Sequence, residues 1–170
     1  DSTTNPLLDT GSDSDSHLVG SVALVYSGFE DWHLRAQYAQ GYKYPYLHQL
    51  YIGTVHGGAT TLPNRNLEPE TSQTFEIGAR YAAGGFNLDM ATYYTQADDY
   101  ITTVYLTTPN TQQYTNVQGA NTYGAELELS YTYEPWNITP YANVNYMHRV
   151  FDYGDFRGET SLTGNPKWSG

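Results

Sequence analysis

The chain has 170 residues, of which seven are Lys or Arg and 18 are Asp or Glu, so its formal net charge is −11. This balance excludes a nucleic acid as the expected partner, because phosphate binding needs clustered Lys and Arg. The sequence contains no Cys, which excludes a disulfide framework and any thiolate metal site.

Residues 1–16 are small, acidic and rich in turn formers, which predicts an acidic extracellular loop or tail. Order is expected to begin near His17. Beyond that point, six stretches alternate apolar and polar residues with the period of two that is typical of β-strands. The apolar members of these stretches are Val22, Leu24, Tyr26; Leu34, Ala36, Tyr38; Phe75, Ile77, Ala79, Tyr81; Phe86, Leu88, Met90; Ala125, Leu127, Leu129, Tyr131, Tyr133; and Pro140, Ala142, Val144, Tyr146.

The other face of these stretches carries charges in the middle of strands, such as Glu76, Asp89 and Glu126, so it should line water or a wet lumen. Short turns at 28–31, 83–85 and 134–137 are interleaved with longer loops around 46–70, 106–113 and 152–165. Short turns on one side and long loops on the other are typical of a transmembrane β-barrel. The 18 Tyr fit the same environment, because a ring with a polar tip suits the boundary between lipid and water.

The pattern therefore predicts an all-β fold, a segment of an antiparallel up-and-down transmembrane β-barrel. We count six complete strands and the beginning of a seventh at Pro166–Trp168, several of them longer than the ~9 to 11 residues that cross a bilayer. The alternative is a soluble β-sandwich or small barrel that binds carbohydrate through its tyrosines. In the soluble fold Leu24, Ile77, Leu127 and Val144 would share one core, whereas in the barrel they would face lipid.

The sequence gives little support to an enzyme. It contains no Gly-x-Ser-x-Gly elbow, no His-Glu-x-x-His zinc motif and no phosphate-binding loop. Glu126 and Glu128 share one strand face and could suggest the paired carboxylates of a glycosidase, but they also fit a wet lumen wall. We expect a protein that is not an enzyme.

Two stretches, 41–45 (GYKYP) and 64–71 (NRNLEPET), resemble the paired sequence boxes of TonB-dependent receptors. The box residues are Tyr42, Lys43, Pro45, Asn64, Asn66, Leu67, Pro69 and Glu70. Arg65 departs from the pattern, because Pro is common there in the family. The stretches 74–78, 116–117 and 123–128 follow in the family's order, so the resemblance covers nearly all of His17 to Gly170.

The resemblance implies that residues 17–170 are part of a barrel of ~22 strands whose plug domain lies outside this sequence. It further implies a bacterial outer-membrane transporter that imports an iron complex, either heme or a ferric siderophore, with energy supplied by TonB. The expected partners are outer-membrane lipid, the iron complex, and the TonB complex through an N-terminal region that is absent here. No intrinsic cofactor is expected.

The loop between the boxes holds the candidate ligand-binding residues. His56 is flanked by Gly57 and Gly58 and could present an imidazole to heme iron; His48 is a second candidate nearer the first box. The alternative for both is a solvated loop His without a ligand. Tyr46 and Tyr51 could contact a porphyrin or a catechol, or could instead pack within the loop. Lys43 is expected to have a structural role, its amine reaching a carboxylate. The sequence does not distinguish heme from siderophore cargo.

Overall fold

The computed structural model describes residues 16–154, 159–161 and 167–170. The predicted acidic segment therefore lies outside the described residues except for Ser16. The elements in chain order are β1 (Ser21–Phe29), β2 (Trp32–Lys43), α1 (Leu47–Tyr51), β3 (Thr54–His56), β4 (Ala59–Leu62), β5 (Glu70–Ala83), β6 (Phe86–Tyr105), β7 (Thr111–Tyr131), a 3-10 turn (Glu134–Trp136), β8 (Tyr141–Asp152), β9 (Glu159–Thr160) and β10 (Trp168–Ser169).

All the strands belong to one sheet, in which β1, β2, β5, β6 and β7 follow one another and β8 pairs with β7. The long strands are antiparallel, and β4 pairs in parallel with β7. The predicted set of six long strands is confirmed, and the predicted seventh begins with Trp168 opposite Tyr146. Within the described residues β1 pairs only with β2, so the sheet is open and does not close into a barrel.

The turns at one end of the sheet are tight because their residues accept a positive φ. Gly84 and Gly85 join β5 to β6 with φ of 54° and 81°. Glycine adopts positive φ more readily than other residues because it lacks a Cβ. Asp31 and Asn137 adopt φ of 63° and 50° in the other two short turns, the left-handed region that Asp and Asn tolerate. The predicted short turns are confirmed at all three places.

One face of the sheet is apolar and exposed. A single row of paired residues crosses five strands, and every member of it is apolar: Leu34, Ala79, Met90, Leu127 and Val144. On this face the exposed fractions of Leu24 and Ile77 are 71% and 65%. No second layer covers these side chains in the described part of the chain. The soluble sandwich is therefore wrong for this chain, since it required an inward core there.

The opposite face is polar and internally charged. Arg35 on β2 donates to Glu76 at 3.2 Å and to Asp89 at 2.8 Å, joining three strands. Its guanidinium crosses above Gly78, where an added Cβ would lie 2.7 Å from the guanidinium carbon. A groove of about 560 Å³ lies beside this network and includes Arg80, Asp89 and Glu128 in its lining. This face is a wet surface, as the alternation of the strands predicts.

Two groups of aromatic side chains border the apolar face. Near the tight turns two register pairs, Trp32–Tyr81 and Phe86–Tyr131, lie two residues apart along the strands. Near the loops one register row consists of Tyr38, Phe75, Tyr94 and Tyr123. Phe75 and Tyr81 are six residues apart on β5, which at ~3.4 Å per residue is about 20 Å along the strand. The two aromatic groups therefore mark the two edges of the apolar face, as aromatic girdles mark the two boundaries of the lipid-facing band in a transmembrane barrel. Among the described helices none is long and apolar enough to span a membrane.

The orientation of the two faces predicts how charge is tolerated. Replacing Ile77 with Arg in the intact protein should lower its free energy of unfolding in lipid vesicles by about 2 to 4 kcal/mol, because the charge would enter hydrocarbon. Gln37→Arg on the polar face of β2 is the matched control and should change it by less than about 1 kcal/mol. Urea titration of both variants measures the difference. Equal losses would contradict the assignment of the faces.

Candidate functional site

The two sequence boxes meet at the end of the sheet away from the tight turns. Lys43 ends β2, Glu70 begins β5, and the two are register partners whose side chains form an ion pair of 2.9 Å. The second oxygen of Glu70 accepts a hydrogen bond of 2.8 Å from the backbone N–H of Ile101 on β6. Lys43 thus has the structural partner expected of it, and Glu70 links three strands. Tyr42, which precedes Lys43 on β2, stacks on His17 with ring centroids 4.5 Å apart.

The loop between the boxes is folded against the β6–β7 hairpin. Asn64 accepts a bond from the N–H of Asn66 at 3.0 Å and donates to the backbone oxygen of Tyr114 at 2.9 Å. Asn116 then holds the backbone of Glu68 twice, accepting from its N–H and donating to its C=O, both at 2.8 Å. An Asn side chain that meets a donor and an acceptor of one residue copies the pairing of a neighbouring strand. The second box is therefore fastened to β7.

A small apolar core lies beneath this loop. Its buried members are Leu50, Tyr51, Leu67 and Ile101, and the half-buried Tyr44 and Tyr114 pack against it. Pro45 is buried and Pro69 half-buried at the two ends of the loop. Most of the strand side chains contribute nothing to this core, because the described sheet has a solvent-facing or lipid-facing environment on both sides. In the described residues the buried apolar cluster lies beneath this loop and includes Ile101 of β6.

The short helix α1 depends on this packing. Five residues are too few for a stable helix in isolation, because nucleation is costly. Here Gln49, itself buried, accepts a bond of 2.8 Å from the N–H of Tyr46 through its side chain and another of 2.8 Å from the N–H of Asn64 through its carbonyl. Leu50 anchors the same turn in the core with an exposed fraction of 1%.

The four candidate ligand residues lie in three different settings. Tyr51 is 8% exposed and belongs to the core, where the guanidinium of Arg65 lies 5.4 Å from its ring centroid. His56 is exposed at the end of β3, beside the turn formed by Gly57 and Gly58. Tyr46 and His48 are exposed on α1 and the residue before it. The position of Tyr51 supports the packing role that was its alternative.

The exposed Tyr46 and His48 form a cluster with the half-buried Lys43 and Tyr114; we call these four residues the aromatic cluster. The rings of Tyr46 and His48 stack with centroids 5.5 Å apart and planes 13° apart. Tyr114 meets the His48 ring edge to face at 5.9 Å, and the Lys43 amine lies 5.3 Å from the Tyr46 centroid. Flat rings beside a cation can bind a flat, electron-rich or anionic ligand.

Tyr114 and Ile101 were not among the candidates from the sequence. Both lie 30 or more residues from the second box, and they reach it because β6 and β7 extend beyond the loop-side aromatic row as a hairpin with its tip at 106–110. Among the strand residues that contact the loop, the sequence indicated only Asn116, because it lies in the stretch 116–117 that follows the family boxes. In the described residues no group of three or more His, Asp or Glu could hold a metal ion.

Comparison with known proteins identifies the family. The model of the family described as TonB dependent receptor-like, beta-barrel, matches residues 1–170. The chain belongs to this family. Members of this receptor family are proteins of the outer membrane of Gram-negative bacteria, which places the apolar face against lipid.

The chain spans about a fifth of the length of the curated relatives that it matches first. It is 28% identical to the pesticin receptor of Yersinia enterocolitica over 142 residues, which cover 79% of this chain and 19% of that protein. Among solved structures, the siderophore receptor PirA from Pseudomonas aeruginosa superposes with a TM-score of 0.65 and 21% identity, covering 78% of this chain and 30% of that one.

A second solved structure is the hemophore receptor HasR of Serratia marcescens, a double mutant in complex with its hemophore HasA and heme. It superposes with a TM-score of 0.60 and 20% identity over 78% of this chain and 22% of that one. At these identities both structures show that the fold is shared.

The contacts of Asn116 predict a loosened loop when that side chain is shortened. Asn116→Ala in the full-length receptor should leave the barrel folded. The rate of hydrogen exchange at the amide of Glu68 should rise by about tenfold or more, because that amide loses an acceptor worth ~1 to 2 kcal/mol. Asn145→Ala on the polar face of β8 is the control and should leave that amide unchanged. Unchanged exchange in Asn116→Ala would show that the loop is held without it.

Proposed function

We propose that this chain supplies part of the wall and the ligand-binding loop of an outer-membrane transporter that imports an iron complex. In this proposal energy for import comes from TonB through regions outside this sequence. Membership of the receptor family supports the proposal, and so do the names of the superposing receptors, which include a siderophore receptor and a hemophore receptor bound to heme.

The observation that carries the proposal is the aromatic cluster on a firmly held loop. A ligand site needs side chains whose positions are fixed before binding, since ordering them at the moment of binding costs affinity. Here the loop has its own buried core and a strand-like link to β7 through Asn116, while Tyr46 and His48 stay exposed above it. We infer that the aromatic part of the iron complex lies on these two rings.

The two histidines take different roles in this proposal. His48 is held between two tyrosine rings and is suited to contact the flat face of a ligand. His56 is exposed beside a two-glycine turn, so its imidazole can approach iron directly. If the cargo is heme, His56 is its iron ligand; if the cargo is a catecholate siderophore, Tyr46, His48 and Lys43 bind it without His56.

A spectroscopic titration separates the two cargoes. We expect the full-length receptor in detergent to shift the Soret band of added heme. His56→Ala should alter the shape of the shifted band, and His48→Ala should weaken binding by about tenfold while keeping the band shape. The band shape reports the iron ligand, and the midpoint of the titration reports the contact surface.

The control is His33→Ala, a histidine in the hairpin at the opposite end of the sheet, which should bind heme as the wild type does. If the wild type gives no Soret shift, the same variants are titrated with a ferric catecholate by quenching of tyrosine fluorescence. Loss of binding in His48→Ala alone then supports a siderophore cargo. Failure of both ligands to bind the wild type would contradict import of either iron complex.

A further inference from the structure

A small pocket lies on the polar face of the sheet, at the end where the two sequence boxes meet. Its volume is about 330 Å³. This is at the small end of the range of ligand pockets, about 300 to 1,000 Å³, so the pocket suits one arm of a ligand and not a whole iron complex. Charged, aromatic and hydroxyl side chains line it, among them Lys43, Glu70, Tyr100, Thr122 and Arg149.

Arg149 gives the pocket a positive charge that the described residues do not neutralise. It lies on β8 opposite Thr122 of β7, and its Nε donates to the hydroxyl of Thr122 at 2.8 Å. Thr122 is buried, so this bond holds the guanidinium in place while the two Nη groups stay available. The ion pairs of the described residues involve Arg35 and Lys43 and not Arg149. Charges withdrawn from water are normally paired, so a half-buried Arg without a carboxylate in a chain of net charge −11 indicates an anion site.

The other charges of the pocket favour a ligand group with a single negative charge. Lys43 and Glu70 neutralise each other in their ion pair, and the second oxygen of Glu70 accepts from the N–H of Ile101. The pocket therefore carries one net positive charge, that of Arg149. A carboxylate matches this charge and offers two oxygens to the planar guanidinium. A phosphate dianion would meet stronger repulsion from Glu70.

The ring of Tyr100 adds an apolar wall. Asp99, with φ of 55°, interrupts the alternation of β6 just before Tyr100. The Tyr100 ring packs against Phe151 with centroids 5.2 Å apart, and Phe151 is the register partner of Ala120 in the pocket lining. Carbon atoms of a ligand arm can pack against Tyr100 while the carboxylate at its end meets Arg149.

Lys43 connects the pocket to the aromatic cluster, because it belongs to both and its amine lies 5.3 Å from the centroid of Tyr46. We propose that the pocket binds a free carboxylate arm of the iron complex whose aromatic part lies on Tyr46 and His48. This inference rests on the proposed function and narrows its substrate class to aromatic iron complexes that bear a free carboxylate. Arg149 is the residue that selects them.

The test uses two pairs of probes that differ in their carboxylates. The first pair is heme and its dimethyl ester, and the second is the ferric complexes of 2,3-dihydroxybenzoate and of catechol. Each probe is titrated into the full-length receptor in detergent, with the Soret band as the readout for the first pair and quenching of tyrosine fluorescence for the second. In the pair that binds, we expect the wild type to prefer the carboxylate member by about tenfold or more. Arg149→Gln should remove this preference and leave the affinity for the other member unchanged.

Arg80→Gln is the matched control, since it makes the same substitution on β5 near the tight turns and should keep the full preference. Thr122→Val keeps the charge of Arg149 but removes its support, and should lower the preference by about threefold or more. This second variant tests the site even if Arg149→Gln folds poorly.

The possible failures are distinguishable. Equal affinity of the wild type for both members of a pair would overturn the carboxylate pocket and leave the proposed function standing. An unchanged preference in Arg149→Gln or in Thr122→Val would do the same. Failure of the wild type to bind any of the four probes would contradict the proposed function, and the pocket with it.

Discussion

The structure depends on the requirement that every backbone N–H and C=O be paired where a chain passes through hydrocarbon. Long antiparallel ladders meet this requirement, and they send successive side chains to opposite faces. One face is then free to be apolar from Leu34 to Val144 along a single row, while the other carries Arg35 and its two carboxylates. Hydrogen bonding sets the architecture, and the side chains adapt each face to its solvent.

As a result, the apolar core does not lie on either face of the described sheet. Both faces of the sheet are solvated, by lipid or by water, and in the described residues the buried apolar cluster lies between β6 and the loop that joins β2 to β5. Leu50 and Leu67 there fix the loop, and Glu70 and Asn116 attach it to the strands. A rigid loop on a rigid sheet is an arrangement in which exposed rings such as Tyr46 can act as a preformed surface.

The sequence predicted the elements whose signal is local and missed those that depend on distant contacts. Alternation located the long strands and their faces, and Gly84–Gly85 located a turn, because each follows from neighbouring residues. Helix α1 and strands β3 and β4 were not expected, since they are short and gain their stability from Ile101, Tyr114 and the edge of β7. For the same reason the boxes indicated the loop that holds the candidate site, but the partners of His48 could not be found from the sequence.

The pairing of β4 with β7 has a mechanical consequence. β4 belongs to the loop after β2, yet it hydrogen-bonds in parallel to the start of β7, with β5 and β6 lying between β2 and β7 in the sheet. The loop therefore spans the sheet like a strap fixed at both ends, and the tip of the β6–β7 hairpin cannot swing without carrying it. Helix α1 and the tip of the β6–β7 hairpin are therefore joined through backbone hydrogen bonds of β4, although they are remote in sequence.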